Sequence, residues 1–350
     1  VITLSQRILN RTLLQRQYLL SRVAETPLDT IRHLVAMQAQ FPNGPYIGLW
    51  SRLEGFTRDA LTALITDRVV VRSTMMRRTQ HLAAGDDFVW LRPSVEPVIT
   101  VALKHPFYAK EIEGLDPYKV AAVGRDILGD QALPRRAFGK LLGERFPGHH
   151  SGRLADTVEL VEPMVHTPPA SLWGPSRHPA EITVALAASW LGRPMLKAQL
   201  HELALRYLAS FGPASVMDLQ AWSGLTRLRE VVEGLDLRVY KSESGTKLYD
   251  LPDAPLATGD EPAPVRFLPA FDNALQGHKD RTRVISEDDR QRIARGASGG
   301  VPMFVVNGFV AGTWSYSDGD LHLDPFRPLS KSERSAVDEE AAHLLAFLSR

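Results

Sequence analysis

Gln38 and Gln40 stand one residue apart in 36-AMQAQFPNGPYIGLW-50, in an otherwise apolar run and just before a Pro-Asn-Gly-Pro break. Neither amide is an acid, a base or a nucleophile at neutral pH; each can only donate and accept hydrogen bonds. Chemistry built on such a pair is chemistry of position. The bland alternative is that Gln38 caps the C-terminus of a helix and Gln40 is solvated. Other reactive sets are thin. The chain has no cysteine, which excludes disulfides, thiolate catalysis and cysteine-ligated metals. His149 and His150 are adjacent, without the spacing of helical metal ligands, and no H-E-x-x-H occurs. A P-loop and a G-x-G-x-x-G are also missing, so no metal and no cofactor are expected.

For the two amides to act together, the backbone must let them converge. In a regular helix residues i and i+2 point about 200° apart. Thr26 is a candidate N-cap, Pro27 fits the first helical position and Asp29 the capping box, so a helix is expected over 26–38. It must then end near Met37 or Gln38. Phe41-Pro42 and Gly44-Pro45 supply that end.

The surrounding elements repeat a pattern. Helices are expected over 5–20, 45–53 and 57–67, followed by a strand-like stretch over 69–83. Three short helices and strands are the winged-helix order. A second copy runs through helices at 134–146 and 153–165 to the Pro-rich 166–174. The clearest copy spans 199–252: a helix, then 213-PASVMDLQAWSG-224, then 225-LTRLREVVEGL-235, then two strands around Ser-Glu-Ser-Gly. Gly224 is its helix-turn-helix turn. Arg227 and Arg229 occupy its recognition slot, which we expect to serve as scaffold. The stretch 252–265 reads as a linker. Strands are expected at 266–275, 282–285 and 301–325, with Asn307-Gly308 a hairpin turn, and a helix at 331–349 closes the chain. The expected division is winged helices at 1–98, 99–196 and 197–252, a linker at 253–265 and a β-barrel domain with a terminal helix at 266–350.

Composition sets outer bounds. The 44% hydrophobic and 23% charged fractions fit a soluble globular protein of two or three domains. A net charge of +1 announces no nucleic-acid binder by itself, although a local basic stripe remains compatible with it. Arginine outnumbers lysine, which suits phosphate recognition but follows equally from a GC-rich genome. With no spanning apolar run and no signal-like start, a cytoplasmic location is expected.

The ordered set 9-LNRTLLQRQYLL-20, 35-VAMQAQFPNGPYIGLWSRL-53, 72-RSTMMRRTQHL-82, 207-YLASFGPASVMDLQAWSGL-225, 268-LPAFDNALQGHKDRTRVI-285 and 306-VNGFVAGTW-314 resembles the AlkZ-type winged-helix DNA glycosylases over nearly the whole chain. The resemblance implies an α+β fold: tandem winged-helix motifs followed by a small C-terminal β-barrel, C-shaped around a DNA channel. The family signature is Q-x-Q in one branch and Q-x-D in the YcaQ-like branch; Gln38 and Gln40 match the first. It implies a monofunctional glycosylase for N7-alkylguanine, including interstrand crosslinks of the azinomycin type. Its partner would be double-stranded DNA carrying alkylated or crosslinked guanine. It would act as a monomer, associated with the nucleoid. If the host makes such a toxin, the activity is self-resistance.

Two glutamines suffice for that reaction on physical grounds. An N7-alkylated purine carries a positive charge and leaves neutral without an acid. What remains is an oxocarbenium-like C1′ and a water to be positioned. Candidate DNA contacts are Arg72, Arg77, Arg78 and His81 on the wing-like stretch, and His278, Lys279, Arg281 and Arg283 in 276-QGHKDRTR-283. Each has a bland counterpart, a charged strand edge or a structural loop. The competing readings of the whole are a winged-helix transcription regulator without catalysis and an inert scaffold. Three helix-plus-wing units and a β-domain in one chain make a poor dimeric operator reader.

Overall fold

Thr26 caps its helix as expected, accepting from the Asp29 N–H, and Pro27 opens the first turn. The computed structural model describes residues 1–174, 182–296 and 300–349. The helix is shorter than its sequence suggests, ending within Pro27–His33. Val35 then takes φ +68°, a left-handed conformation that is unfavourable for a β-branched residue. That kink turns the chain into a strand, so Gln38 is not helical.

Among the described residues thirteen strands form three sheets. In chain order they are β1 (Ile2–Leu4), β2 (Met37–Gln38), β3 (Val70–Thr74), β4 (Gln80–Ala84), β5 (Leu133–Pro134), β6 (Met164–Thr167) and β7 (Thr183–Leu186). They continue as β8 (Arg238–Ser242), β9 (Lys247–Asp250), β10 (Arg266–Leu268), β11 (Met303–Val306), β12 (Phe309–Ser317) and β13 (Asp320–Pro325). The largest sheet runs β2-β4-β3-β6-β7-β5 and draws strands from residues 37–84 and from residues 133–186. They meet where Arg72 pairs with His166. A three-stranded sheet, β1-β8-β9, adds the N-terminal strand in parallel to the wing of the third copy.

The third copy has its expected helices. Ser215 and Asp218 form a reciprocal capping box for Val216–Ser223, and Gly224 ends that helix at φ +84°. The next helix is reduced to Arg229–Glu233. Leu225, Leu228 and Val232 are buried beneath it, leaving Arg227 and Arg229 exposed.

The C-terminal part is not a closed barrel. Its four strands lie in the order β10-β11-β12-β13, all antiparallel, and β10 and β13 are free edges. Four strands give too little circumference to enclose a filled interior. The helix Lys331–Leu348 packs on this sheet instead, burying Val337, Leu344 and Phe347 with Phe267, Phe304 and Trp314. The expected strand at 282–285 is a turn; Val284 and Ile285 are buried, and the Val284 carbonyl accepts from the Val310 N–H at 2.8 Å. Asn307 and Gly308 form the hairpin turn, both with positive φ. That turn docks on the helix Gln6–Arg16, where Asn10 Nδ2 donates to the Gly308 carbonyl at 2.8 Å and Arg11 Nη2 to Asn307 Oδ1 at 2.6 Å. Among the described residues no helix is long and apolar enough to cross a membrane.

One buried ion pair ties the two halves of the chain. Arg52, just after the helix Asn43–Trp50, makes two 2.8 Å bonds to the two carboxylate oxygens of Asp272. Both side chains are at most 1% exposed. Asp272 also accepts from the Ala274 N–H and so caps the helix Asn273–Gln276. Asp272→Ala would leave a buried guanidinium without its counter-charge. We expect a loss of about 3–5 kcal/mol in urea-unfolding free energy. A loss comparable to that of an exposed pair, below about 1 kcal/mol, would refute this role for the contact.

Candidate active site

Gln38 ends the short edge strand β2, and Gln40 lies two residues on, in the bend that follows. Met37 and Gln38 pair antiparallel with Leu82 and His81, and the Ala39 N–H extends the ladder to the Gln80 carbonyl at 2.7 Å. The expected helix end at Met37 or Gln38 is not there: the helix stops at His33, and Gln38 is in a strand. Asn273 supports the kink that starts this strand, its Nδ2 donating to the Ala36 carbonyl at 2.8 Å and to that of Leu34 at 3.4 Å.

Both amide oxygens are engaged by the β3–β4 hairpin. Arg77 Nη2 donates to Gln38 Oε1 at 2.6 Å. An arginine carries only donors, so the facing atom must be the oxygen, which fixes the orientation of the half-buried amide. Gln40 is exposed, and its Oε1 accepts from the Gln80 N–H at a long 3.4 Å. Each oxygen keeps a second lone pair. Among the described residues neither Nε2 has a hydrogen-bond partner and no carboxylate bonds to either glutamine.

Arg77 itself is held from the other side. It lies in the short turn Met76–Arg78 at φ +52°, and its Nη1 donates to the Trp222 carbonyl. An added Cβ at Gly224 would stand 3.2 Å from the Arg77 N and Cα, so the helix-turn-helix glycine admits this turn closely. Burial, with Arg281 nearby, lowers the Arg77 pKa to about 10, leaving it charged at neutral pH.

The other sequence candidates divide into internal and outward-facing groups. Arg72 is buried; its Nε donates to the Ala39 carbonyl at 2.9 Å and its Nη1 to His166 Nδ1 at 3.2 Å. That leaves the His166 proton on Nε2, facing Glu159 Oε2 at 3.4 Å. Burial raises the Glu159 carboxyl, but His166 and Arg135 outweigh it and hold the group below its usual range. His81 is buried and donates from Nδ1 to the Thr79 carbonyl at 2.9 Å; burial and Arg77 push its pKa to about 3. His278 is buried against the Phe211 carbonyl at 2.9 Å, its pKa also pushed to about 3, by burial and then Arg283. Arg283 is buried and donates to the Pro213 carbonyl at 3.2 Å. These four side chains bond the protein's own backbone and present little to a ligand. Arg78 is exposed, its guanidinium 5.9 Å from the Tyr108 ring. Lys279 is exposed, and Arg281 is partly buried, donating to Gln276 Oε1 at 2.9 Å.

A cavity of about 670 Å³ lies between the start of Val216–Ser223 and the β8–β9 hairpin, with Lys279, Lys247 and Arg229 in its wall; neither glutamine borders it. β2, which carries Gln38, is an edge strand of the largest sheet. Sequence reasoning overlooked Arg52, Asp272, Asn273, Gln80, Trp222 and His166. The one local signal was the polar pair Asp272-Asn273 inside the apolar 268-LPAFDNAL-275.

Comparison with known proteins follows the same lines. A family model described as DNA glycosylase AlkZ-like matches residues 31–347. An interstrand DNA cross-link repair glycosylase of Streptomyces sahachiroi is 24% identical over 359 residues, covering 95% of this chain and 93% of the relative. The solved structure of Streptomyces sahachiroi DNA glycosylase AlkZ superposes with a TM-score of 0.82 at 22% identity, over 99% of this chain and 97% of that one.

Proposed function

The chain belongs to the AlkZ-like DNA glycosylase family, and on that premise we propose that it hydrolyses the N-glycosidic bond of N7-alkylguanine in duplex DNA. We extend the reading to unhooking of interstrand crosslinks, including those of the azinomycin type, because the Streptomyces sahachiroi relative is named for cross-link repair. The observation that carries the reading is Gln38 on an edge strand and Gln40 in the bend just past it, their amide oxygens bonded by the Arg77 guanidinium and the Gln80 N–H and by no described carboxylate.

The chemistry matches a substrate that arrives charged. The C1′–N9 electron pair passes to the cationic purine, which leaves neutral, so no general acid is required. Water adds hydroxide to C1′ and releases a proton to solvent, leaving an abasic site. Gln40, exposed and loosely held, accepts from that water. Gln38, fixed by Arg77, turns its remaining lone pair toward the oxocarbenium-like sugar. Arg77 is a positioning residue: its two bonds join the motif to the end of Val216–Ser223. Because water is the nucleophile in this scheme, no lysine Schiff base forms and the enzyme is monofunctional.

Arg78, Lys279 and Arg281 take the phosphate contacts, while Arg72, His81, His278 and Arg283 form the framework behind them. The organisation we propose keeps winged-helix units at 1–98, 99–196 and 197–252 and a C-terminal unit at 266–350 after the 253–265 linker, arranged as a C-shaped channel that admits bulky adducts. The protein would act as a monomer in the cytoplasm, at the nucleoid.

The deciding assay follows base release from a duplex carrying one N7-methylguanine. Gln38→Ala and Gln40→Ala should each slow release about 10²-fold, the scale of one lost transition-state dipole. A folded double variant with wild-type release would remove the motif from the chemistry. Neither glutamine titrates, His81 stays neutral and Arg77 stays charged. The maximal rate should therefore be flat from about pH 7 to about pH 9, whereas a bell-shaped profile would reveal an acid–base pair. Arg78→Ala and Lys279→Ala should each reduce the magnitude of the log K against log salt slope by about 1, read from duplex-binding titrations. An unchanged slope would take that residue off the DNA.

A further inference from the structure

Phe41 follows Gln40 directly and is 48% exposed, an unusual position for a large apolar ring beside a polar motif. It is not simply loose. Its ring stacks on Phe271 with centroids 6.2 Å apart and planes 16° from parallel. Phe271 reaches it from a backbone at φ +63°, a region an aromatic side chain enters only under constraint. The constraint is visible on both sides of the ring. Asp272 is bonded to Arg52 and Asn273 to the Ala36 carbonyl, so the loop is fixed to the very segment that leads into the glutamines. On the other side, a Cβ added at Gly300 would lie 2.3 Å from Phe271 Cζ. The chain therefore holds a strained, backed aromatic pair next in sequence to Gln40 and leaves one ring half open to solvent.

A nucleobase is the ligand whose shape fits an open aromatic face, since every base presents a π-surface. The face is also selective by charge. An aromatic ring face carries negative potential and attracts a cation more than a neutral group of the same shape. Resting on the reading of the glutamines as a glycosylase site, we infer that Phe41, backed by Phe271, is the surface on which the alkylated purine stacks, and that it favours the cationic lesion over unmodified guanine. As the glycosidic bond breaks, the purine loses its charge and with it this extra attraction. The contact is strongest before reaction, so it tightens binding of the lesion and, by the part lost on the way to the transition state, slightly slows the maximal rate. It also weakens on the product, which favours departure of the freed base.

The experiment is single-turnover release of N7-methylguanine from a duplex by the full chain, titrated to give a half-saturating concentration and a maximal rate. Phe41→Leu keeps an apolar side chain and removes the π-face; Phe41→Tyr restores the face. The site is surface-exposed, and thermal unfolding of each variant checks that the fold persists. We expect Phe41→Leu to raise the half-saturating concentration about tenfold with the maximal rate within about threefold of wild type. Phe41→Tyr should recover most of the loss, and binding of unmodified duplex should change little in either variant. Wild-type half-saturation in Phe41→Leu would overturn the inference. So would equal weakening in Leu and Tyr variants, or a loss confined to the maximal rate. A wild-type protein that releases no base would instead overturn the glycosylase reading on which the inference stands.

Discussion

Residues 271–273 and what they grip are the constraint on which the rest depends. Three consecutive side chains from the C-terminal part reach across to the segment around the glutamines. Phe271 stacks on Phe41, Asp272 pairs with Arg52, and Asn273 takes the Ala36 and Leu34 carbonyls. The backbone they hold includes Val35 at φ +68°. A left-handed β-branched residue persists only where surrounding bonds outweigh its cost. A buried ion pair is weak evidence for net stability, because desolvation offsets its attraction. Its value here is geometric: it is a fork of two donors meeting two acceptors, with one arrangement that satisfies both ends. Without that grip the Pro27–His33 helix has no reason to break where it does, and the edge strand carrying Gln38 has no fixed start.

Arginine does structural work in this protein to a degree its count does not announce. Arg11, Arg16, Arg52, Arg72 and Arg77 each spend several donors on carbonyls or carboxylates inside the fold. Arg16 makes bonds of 2.7 and 2.8 Å to the two oxygens of Asp250, joining the first long helix to β9. A planar guanidinium with five N–H groups is suited to this, since it can saturate several backbone acceptors at a place where strands and helices from distant segments meet. The same property makes such residues poor candidates for phosphate contact once folded. This is why a basic stretch such as 72–81 divides so sharply, with Arg72 and Arg77 turned inward and Arg78 outward.

Local chemistry was legible wherever the deciding partners lie within a few residues. Thr26 and Asp29 begin a helix, Ser215 and Asp218 begin another, and Asn307-Gly308 turns a hairpin, because each is a closed set of short-range bonds. The edge-strand place of Gln38 was not legible, since the sequence pointed to a helix end there. The family was legible, from an ordered set of short stretches none of which is specific alone. In 199–252 the helix Val216–Ser223, the turn at Gly224 and the strands β8 and β9 fall where the sequence places them, while the helix expected at 225–235 is only Arg229–Glu233.

What the sequence left undecided depends on partners far along the chain. Gln38 is extended, not helical, because its ladder partner is His81 and the kink before it is bonded by Asn273, more than two hundred residues away. The C-terminal sheet stays open because four strands and a terminal helix close its core more cheaply than a barrel would. Whether an arginine faces DNA or a carbonyl likewise depends on which backbone acceptors the fold brings within about 3 Å of it. Composition and spacing determined which groups this protein has and where its helices and turns begin. Only tertiary structure decided which of those groups face one another, because hydrogen bonds and ion pairs act over a few ångströms and take no account of distance along the chain.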